Sequence, residues 1–534
     1  MISDHPPVTP QGTVERNPSW VAEFPLSVNQ ERVCLSRELA RRLGKQPPPD
    51  LIFVCLTLSG HLDVPALKRA FREVVRRHAA LRTLTLRAPA LSDADWDRAL
   101  GDFARTGVAP QGLYVQQLAS EAEIEFYDHN LCDRQEDQAE ALRTIFESEA
   151  STPLDEQKPL GLRVNLIRQN QTRHLLLVAM DHRVSDAWSA GLLRREIECL
   201  YAHFADGAPA PASPRTSYPE FGAWQNQAFE SEYFSRDLAY WEDHWRHFGS
   251  ARIGARDLPF TRSTPQKQSG NDFATELAIL DSSTVASLRA AARRSRVTLY
   301  VLFLAAFVTV LRHYTGKTKT ALWCHCANRT TRERTEAIGF FVNTHLMGFD
   351  LTEDVAFRDL VADVATRQLE TLRHQEMPLQ HLWRTLNCVP RFGDSGIMLD
   401  YYAEPLILDP PATGGSVTFM RGPFYGPTAP RMASIGVYVI DKGRELSIRS
   451  DYVAALYPSE AVVNMLEDLK DVALAFVANP DVRISNFPEI AGRYLDRPKI
   501  PRTDMSEFIL LGSERIPTRG SLPLATLPAS TRRT

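Results

Sequence analysis

Residues 175–189 constrain the fold of this chain more than any other stretch. The run Leu175-Leu176-Leu177-Val178-Ala179-Met180 is short, continuously apolar and bounded by polar residues, which predicts a strand buried on both faces. Asp181-His182-Arg183-Val184-Ser185-Asp186 then turns the chain. Beyond it Leu193, Ile197, Leu200, Tyr201 and Phe204 recur on one face of a helix that Ser185 or Asp186 can cap and Gly207 can end. His182 is thereby expected at a strand-to-helix junction, where a side chain reaches a cleft while its backbone stays fixed. A lone histidine in such a place is commonly no more than a hydrogen-bonded structural residue, so its meaning depends on the rest of the chain.

Composition sets the outer bounds. With 534 residues, 44% of them hydrophobic, the chain can bury one large core or two ordinary ones. A net charge of -4 supplies no basic field for a polyphosphate, which argues against nucleic acid as a partner. The 7 cysteines (Cys34, Cys55, Cys132, Cys199, Cys324, Cys326 and Cys388) are scattered, as expected of reduced thiols in a cytoplasmic protein. The N-terminus lacks a positively charged apolar leader. The apolar run from Leu299 to Leu311 is too short to span a bilayer and ends in Arg312-His313, which predicts a buried core helix and no membrane partner. Cys324-His325-Cys326 alternates along a predicted strand with no second ligand cluster beside it, and Gly414-Gly415 lacks the surroundings of a phosphate cradle, so neither a metal nor a nucleotide is expected.

Residues 206–216 are small, proline-rich and without periodicity, and they divide two stretches that each mix apolar strands with amphipathic helices. The expected organisation is a flexible extension over 1–23, an N-terminal lobe over 24–205 carrying the His182 turn, a linker region over 206–240, a C-terminal lobe over 241–490 and a flexible tail over 491–534. In that tail Phe508-Ile509-Leu510-Leu511 is apolar enough to dock.

The nonapeptide Asp181 to Ser189 resembles the HHxxxDG motif of the condensation domains of nonribosomal peptide synthetases, which often continues Trp-Ser. Other segments resemble that family in the family's order. They are Ser27-Val28-Asn29-Gln30; Gly60-His61-Leu62-Asp63 running on to Arg77-His78-Ala79-Ala80-Leu81-Arg82-Thr83; Tyr218 to Trp224; Asn328-Arg329 with Gly339-Phe340-Phe341-Val342-Asn343-Thr344; His374-Gln375-Glu376-Met377-Pro378; and Leu446 to Tyr452. Their order over roughly residues 24–480 is more than chance supplies.

The resemblance implies an α/β fold of two chloramphenicol-acetyltransferase-like lobes, a V-shaped pseudo-dimer with a central tunnel. It also implies acyl transfer from a carrier-bound phosphopantetheine thioester to an amine or, less often, to an alcohol with ester formation, with no covalently bound cofactor and the phosphopantetheine arm of the partner carrier holding the substrate. His182 maps onto the catalytic histidine. Asp186 maps onto an aspartate that pairs with an arginine, for which Arg329 is the positional match. Asp181 and Arg82 are expected as structural residues near the site, and Ala187, Trp188, Ser189 and Asn343 along the tunnel or substrate.

Two positions depart from the family, Asp181 for the first histidine and Ala187 for the glycine. Asp181, Asp186 and Ser189 also spell the Asp-x4-Asp-x2-Ser pattern of heterocyclization relatives, and a catalytically silent module that recruits a partner is the alternative of another class. The expected protein is a free-standing condensation enzyme whose acyl or peptidyl carriers arrive in trans, with a small-molecule or carrier-bound amine as acceptor.

Overall fold

The computed structural model describes residues 20–490 apart from 48, 133–136, 160, 264–272, 387–395, 404–415, 422–432, 444 and 488–489. Cys388, Gly414-Gly415 and the Phe508-Leu511 run lie outside the described residues.

The apolar run forms the strand Arg173–Asp181, third in a five-stranded sheet ordered Val417–Arg421, Leu51–Gly60, Arg173–Asp181, Arg163–Arg168, Glu125–Asn130. Its two faces are both covered, as its lack of alternation requires. Leu176, Val178 and Met180 pack with Phe71, Val74, Leu193 and Ile197 of the helices Val64–Arg77 and Ala187–Asp206. On the other face Leu177 and Cys55 meet Phe146 of the helix Gln138–Ser151. Val64–Arg77 begins on an Asp63 cap with proline in its first turn, and of the two caps open to Ala187–Asp206 it is Asp186 that serves. The second ends at Gly207, whose φ of 73° is the left-handed conformation that glycine adopts without a Cβ penalty.

A second sheet of six strands runs Asn343–Asp350, Lys319–Cys326, Gly396–Ala403, Ala433–Asp441, Leu446–Val453, Phe273–Leu280. The helices Ser282–Arg294, Leu299–Thr315, Phe357–Arg373 and Ser459–Ala478 build its core, where Phe303, Phe307 and Leu466 meet Leu322, Leu399, Val437 and Ile448. Alternation turns the neighbouring residues to the other face. His325, Asp400 and Tyr402 stand there, with Tyr438 directly across from Asp400 in the ladder.

The linear lobe boundaries need correction in three places. Residues 20–23, expected in a flexible extension, belong to the strand Trp20–Pro25, which pairs with Tyr114–Ala119 in a three-stranded sheet completed by Thr83–Arg87. The helix Tyr218–Glu230, expected in the linker region, places Tyr218 and Phe221 in the core of the first lobe. The strand Val417–Arg421, expected in the second lobe, crosses over to pair with Leu51–Gly60 of the first. Among the described residues no single helix is long and apolar enough to cross a membrane.

Candidate active site

Asp181 ends its strand and caps a single 3-10 turn, His182–Val184, by accepting from the Arg183 backbone N–H at 2.8 Å. The His182 N–H donates to the Asp50 carbonyl at 2.8 Å, which fixes the backbone, and its Nδ1 lies 2.7 Å from the Ser185 carbonyl oxygen. A carbonyl can only accept, so Nδ1 carries the proton and Nε2 the lone pair. The ring is half-buried and packs against Phe340 with centroids 4.3 Å apart. Burial pushes its pKa below the ordinary value, outweighing the Ser185 carbonyl bond and the nearby Asp186 and Asp181 carboxylates. The imidazole is therefore neutral near pH 7, with a basic nitrogen free.

Asp181 does not reproduce the imidazole that the family has at this position. It is 2% exposed and lies between Arg37 at 2.8 Å and Arg183 at 3.0 Å. Glu156 joins the same cluster through Arg37 at 2.7 Å and through Arg41. Burial opposes ionisation of Asp181, but the two guanidinium groups outweigh it and hold the carboxyl far below the usual carboxylate range. The departure is thus compensated by arginines that a histidine here would oppose. Asp181→His is expected to destabilise the protein by about 3–5 kcal/mol, because it leaves two buried cations short of a counter-charge; urea denaturation measures this. The sign of the pH effect follows from a depressed folded pKa. The contribution of Asp181 is fully present above the ordinary carboxyl value of about 3.9 and is lost as the pH falls below it. Asp181→Asn should remove that part of the acid limb.

Asp186 turns away from His182. Its carboxylate accepts from the Ser189 N–H and Oγ at 2.8 Å each, from Arg329 at 2.9 and 3.2 Å, and from the Phe341 and Val342 N–H groups at 3.1 and 3.2 Å. Arg329 is sealed in beside it, its guanidinium 4.4 Å from the Phe341 ring. Asn328, in the left-handed region at φ 52°, precedes it and donates to the Phe341 carbonyl at 3.1 Å.

Side chains hold a strap at residues 337–342, which crosses from one lobe to the other. Arg329 donates to the Ala337 carbonyl at 2.6 Å, His78 Nδ1 accepts from Ile338 N–H at 3.3 Å, and Ser189 Oγ bonds both the N–H and the carbonyl of Gly339. Tyr218 donates to the Phe340 carbonyl at 2.9 Å and Asn29 to the Val342 carbonyl at 2.9 Å. A Cβ on residue 339 would stand 2.4 Å from the Tyr218 ring, so glycine is required there by close approach.

The other expected site residues fall into distinct places. Ala187 is exposed at the first turn of its helix, and Trp188, half-buried, donates its indole N–H to the Thr335 carbonyl at 3.1 Å. Ser189, expected along the tunnel, is fully buried in the strap contact. Asn343, also expected there, is 3% exposed, and its amide donates to the Gln375 and Met377 carbonyls at 3.0 and 2.7 Å, which makes it a brace. Arg82 bonds the Val75, Ala119 and Ser120 carbonyls rather than any residue of the His182 turn. From that part of the first lobe it is His78, 3.1 Å from Glu196, that touches the site. Arg37, Glu156 and Tyr218 carry no local sign of belonging to the site, because their partners lie more than a hundred residues distant except where Glu156 approaches Arg183. A cleft of about 950 Å³ opens beside Arg37 and Glu156 and extends to Glu149 and Arg163; His182 does not line it.

A family model described as Condensation domain matches residues 103–391, and the chain belongs to the condensation-domain family of nonribosomal peptide synthesis. It is 28% identical over 489 residues to chondramide synthase cmdD of Chondromyces crocatus, a match covering 89% of this chain and 12% of that protein. It is 28% identical over 366 residues to malpinin synthetase of Mortierella alpina, covering 67% and 4%. The chain thus spans about an eighth or less of the length of these relatives. Among solved structures, the condensation domain of the monacolin K polyketide synthase MokA superposes with a TM-score of 0.68 at 19% identity, over 87% of this chain and all of that one. The starter condensation domain of rhizomide synthetase RzmA, as a mutant in complex with C8-CoA and Leu-SNAC, gives 0.68 at 18%, over 87% and 96%. The X-domain from teicoplanin biosynthesis, in complex with OxyB, gives 0.65 at 19%, over 89% and 96%. The two α/β lobes therefore have the chloramphenicol-acetyltransferase-like fold of condensation domains.

Proposed function

We propose that this chain forms an amide between an acyl group presented as a phosphopantetheine thioester on a carrier protein in trans and an amine, with His182 receiving the amine's proton. The observation that carries this reading is the half-buried imidazole whose Nδ1–H is anchored on the Ser185 carbonyl, leaving Nε2 unengaged among the described residues. The amine nitrogen attacks the thioester carbonyl carbon, the C–S bond breaks, Nε2 takes the proton and the leaving thiolate receives it. A thioester is already activated, so the protein need supply only positioning and proton transfer, without a covalent nucleophile. The ligands of the rhizomide relative, an acyl-CoA and a leucyl thioester, are of the two classes the reading requires.

Ring closure has less support, because the three polar groups of its pattern are all engaged: Asp181 with two arginines, and Asp186 and Ser189 with the strap. Recruitment without catalysis is the second reading, favoured by the loss of the first histidine and by the likeness to an X-domain found with OxyB. Intact-mass analysis of acyl-carrier and amine partners separates them. Condensation predicts a product with wild-type protein that falls away with His182→Ala. Equal product in both excludes His182 as the catalytic group; carrier binding without product from any pair supports recruitment, and a further loss of water supports ring closure.

A further inference from the structure

Between Val28 and Arg37 the helix Val28–Arg42 is buried except for a stripe of partial exposure at Asn29, Arg32 and Ser36, spaced as one helical face. That stripe faces the second lobe, because Asn29 donates to the Val342 carbonyl at 2.9 Å. Two residues on from Val342, Thr344 pairs across the ladder with His325, so one turn along the helix from Asn29 brings Arg32 to the region of that strand end. His325 stands on the sheet face opposite the helical core, its side chain 28% exposed, with Nδ1 2.7 Å from Asp400 and Nε2 unengaged among the described residues. Asp400 is 4% exposed, and its other oxygen accepts from the His325 N–H at 3.0 Å. Tyr402, 37% exposed, is two residues along the same face.

We propose that Arg32 of the first lobe and His325 of the second form a carboxylate-binding station in the gap between the lobes, so that one of the two condensation partners carries a carboxylate besides its reacting group. The charges lead there. Among the described residues the Arg32 guanidinium has no hydrogen-bond or ion-pair partner, and burial alone lowers its pKa. Burial opposes protonation of His325, but Asp400 outweighs it and raises the pKa, against the repulsion of Arg32. Asp400 thus pairs with His325, while no described carboxylate pairs with the half-buried Arg32 guanidinium, whose partial desolvation an incoming anion would offset. A carboxylate accepts a bidentate bond from Arg32 and a second from Nε2–H of His325. Tyr402, whose hydroxyl feels both Asp400 and Asp186, joins this wall to the surroundings of His182.

The inference rests on the acyl-transfer reading, and binding tests it apart from turnover. Dissociation constants are measured by calorimetry for two pairs that differ in the carboxylate: succinyl against butyryl N-acetylcysteamine thioester for the donor, and glycine against glycinamide for the acceptor. In one pair the wild-type protein should favour the carboxylate by about tenfold or more. Arg32→Gln should bring that ratio near one, Arg32→Lys should keep part of it, and His325→Gln should reduce it. Using ratios within each variant removes any general loss of folded protein. Ratios near one in both wild-type pairs, or a preference unchanged in Arg32→Gln, overturn the station. A preference without product in any assay would leave it standing and instead remove the acyl-transfer reading.

Discussion

Replacing His182 with alanine is expected to slow acyl transfer by about 10²- to 10⁴-fold, the usual worth of a positioned general base, with little loss of stability. Among the described residues the side chain makes one hydrogen bond, to the Ser185 carbonyl, and it packs on Phe340 from a half-buried position. Removal therefore opens no sealed cavity. Single-turnover rates with a thioester donor, read beside a denaturation curve, separate the two effects. The wild-type pH profile carries a second signature. Burial lowers the His182 pKa, so the neutral base persists to more acidic conditions than a free imidazole of about 6.5. The rate should hold through pH 6.5 and fall only below it; an acid limb centred above 6.5 would count against this assignment.

Asp186→Ala should fail in a different way. One carboxylate caps a helix, pairs with a sealed arginine and accepts the N–H groups of Phe341 and Val342. Its loss leaves the Arg329 charge and two buried donors unmatched, a cost of about 3–5 kcal/mol for the pair alone. The expected result is a large fall in the yield of folded protein and in its resistance to urea. Asp186→Asn, which keeps the shape and one acceptor oxygen, should lose less. A variant at 186 that folds normally and is merely slow would mean that Asp186 acts on the reaction through His182, which its hydrogen bonds do not indicate.

What is legible in the sequence is local. The strand, the turn and the Asp186 cap depend on an apolar run and a short polar side chain within a dozen residues, and the helix from Leu299 declares itself by being apolar all round. The Asp186–Arg329 pair, 143 residues apart, is reached only through family resemblance. Asp181 has the look of a defect because its compensation comes partly from Arg37, 144 residues away. Cys324-His325-Cys326 is legible as a strand, but nothing nearby announces that Asp400 meets His325. The crossing of Val417–Arg421 is hidden for the same reason, since strand pairing leaves no local mark on either partner.

The strap bears on how such domains can be recombined. Its backbone groups are satisfied by Asn29, His78, Asp186, Ser189 and Tyr218 from one side and by Asn328 and Arg329 from its own. A chimaera joining the front half of this chain to the rear half of a relative would keep these bonds only where the relative supplies the same donors and acceptors. Splices that carry residues 328–342 along with the front half keep the set whole, and those are the hybrids to build first.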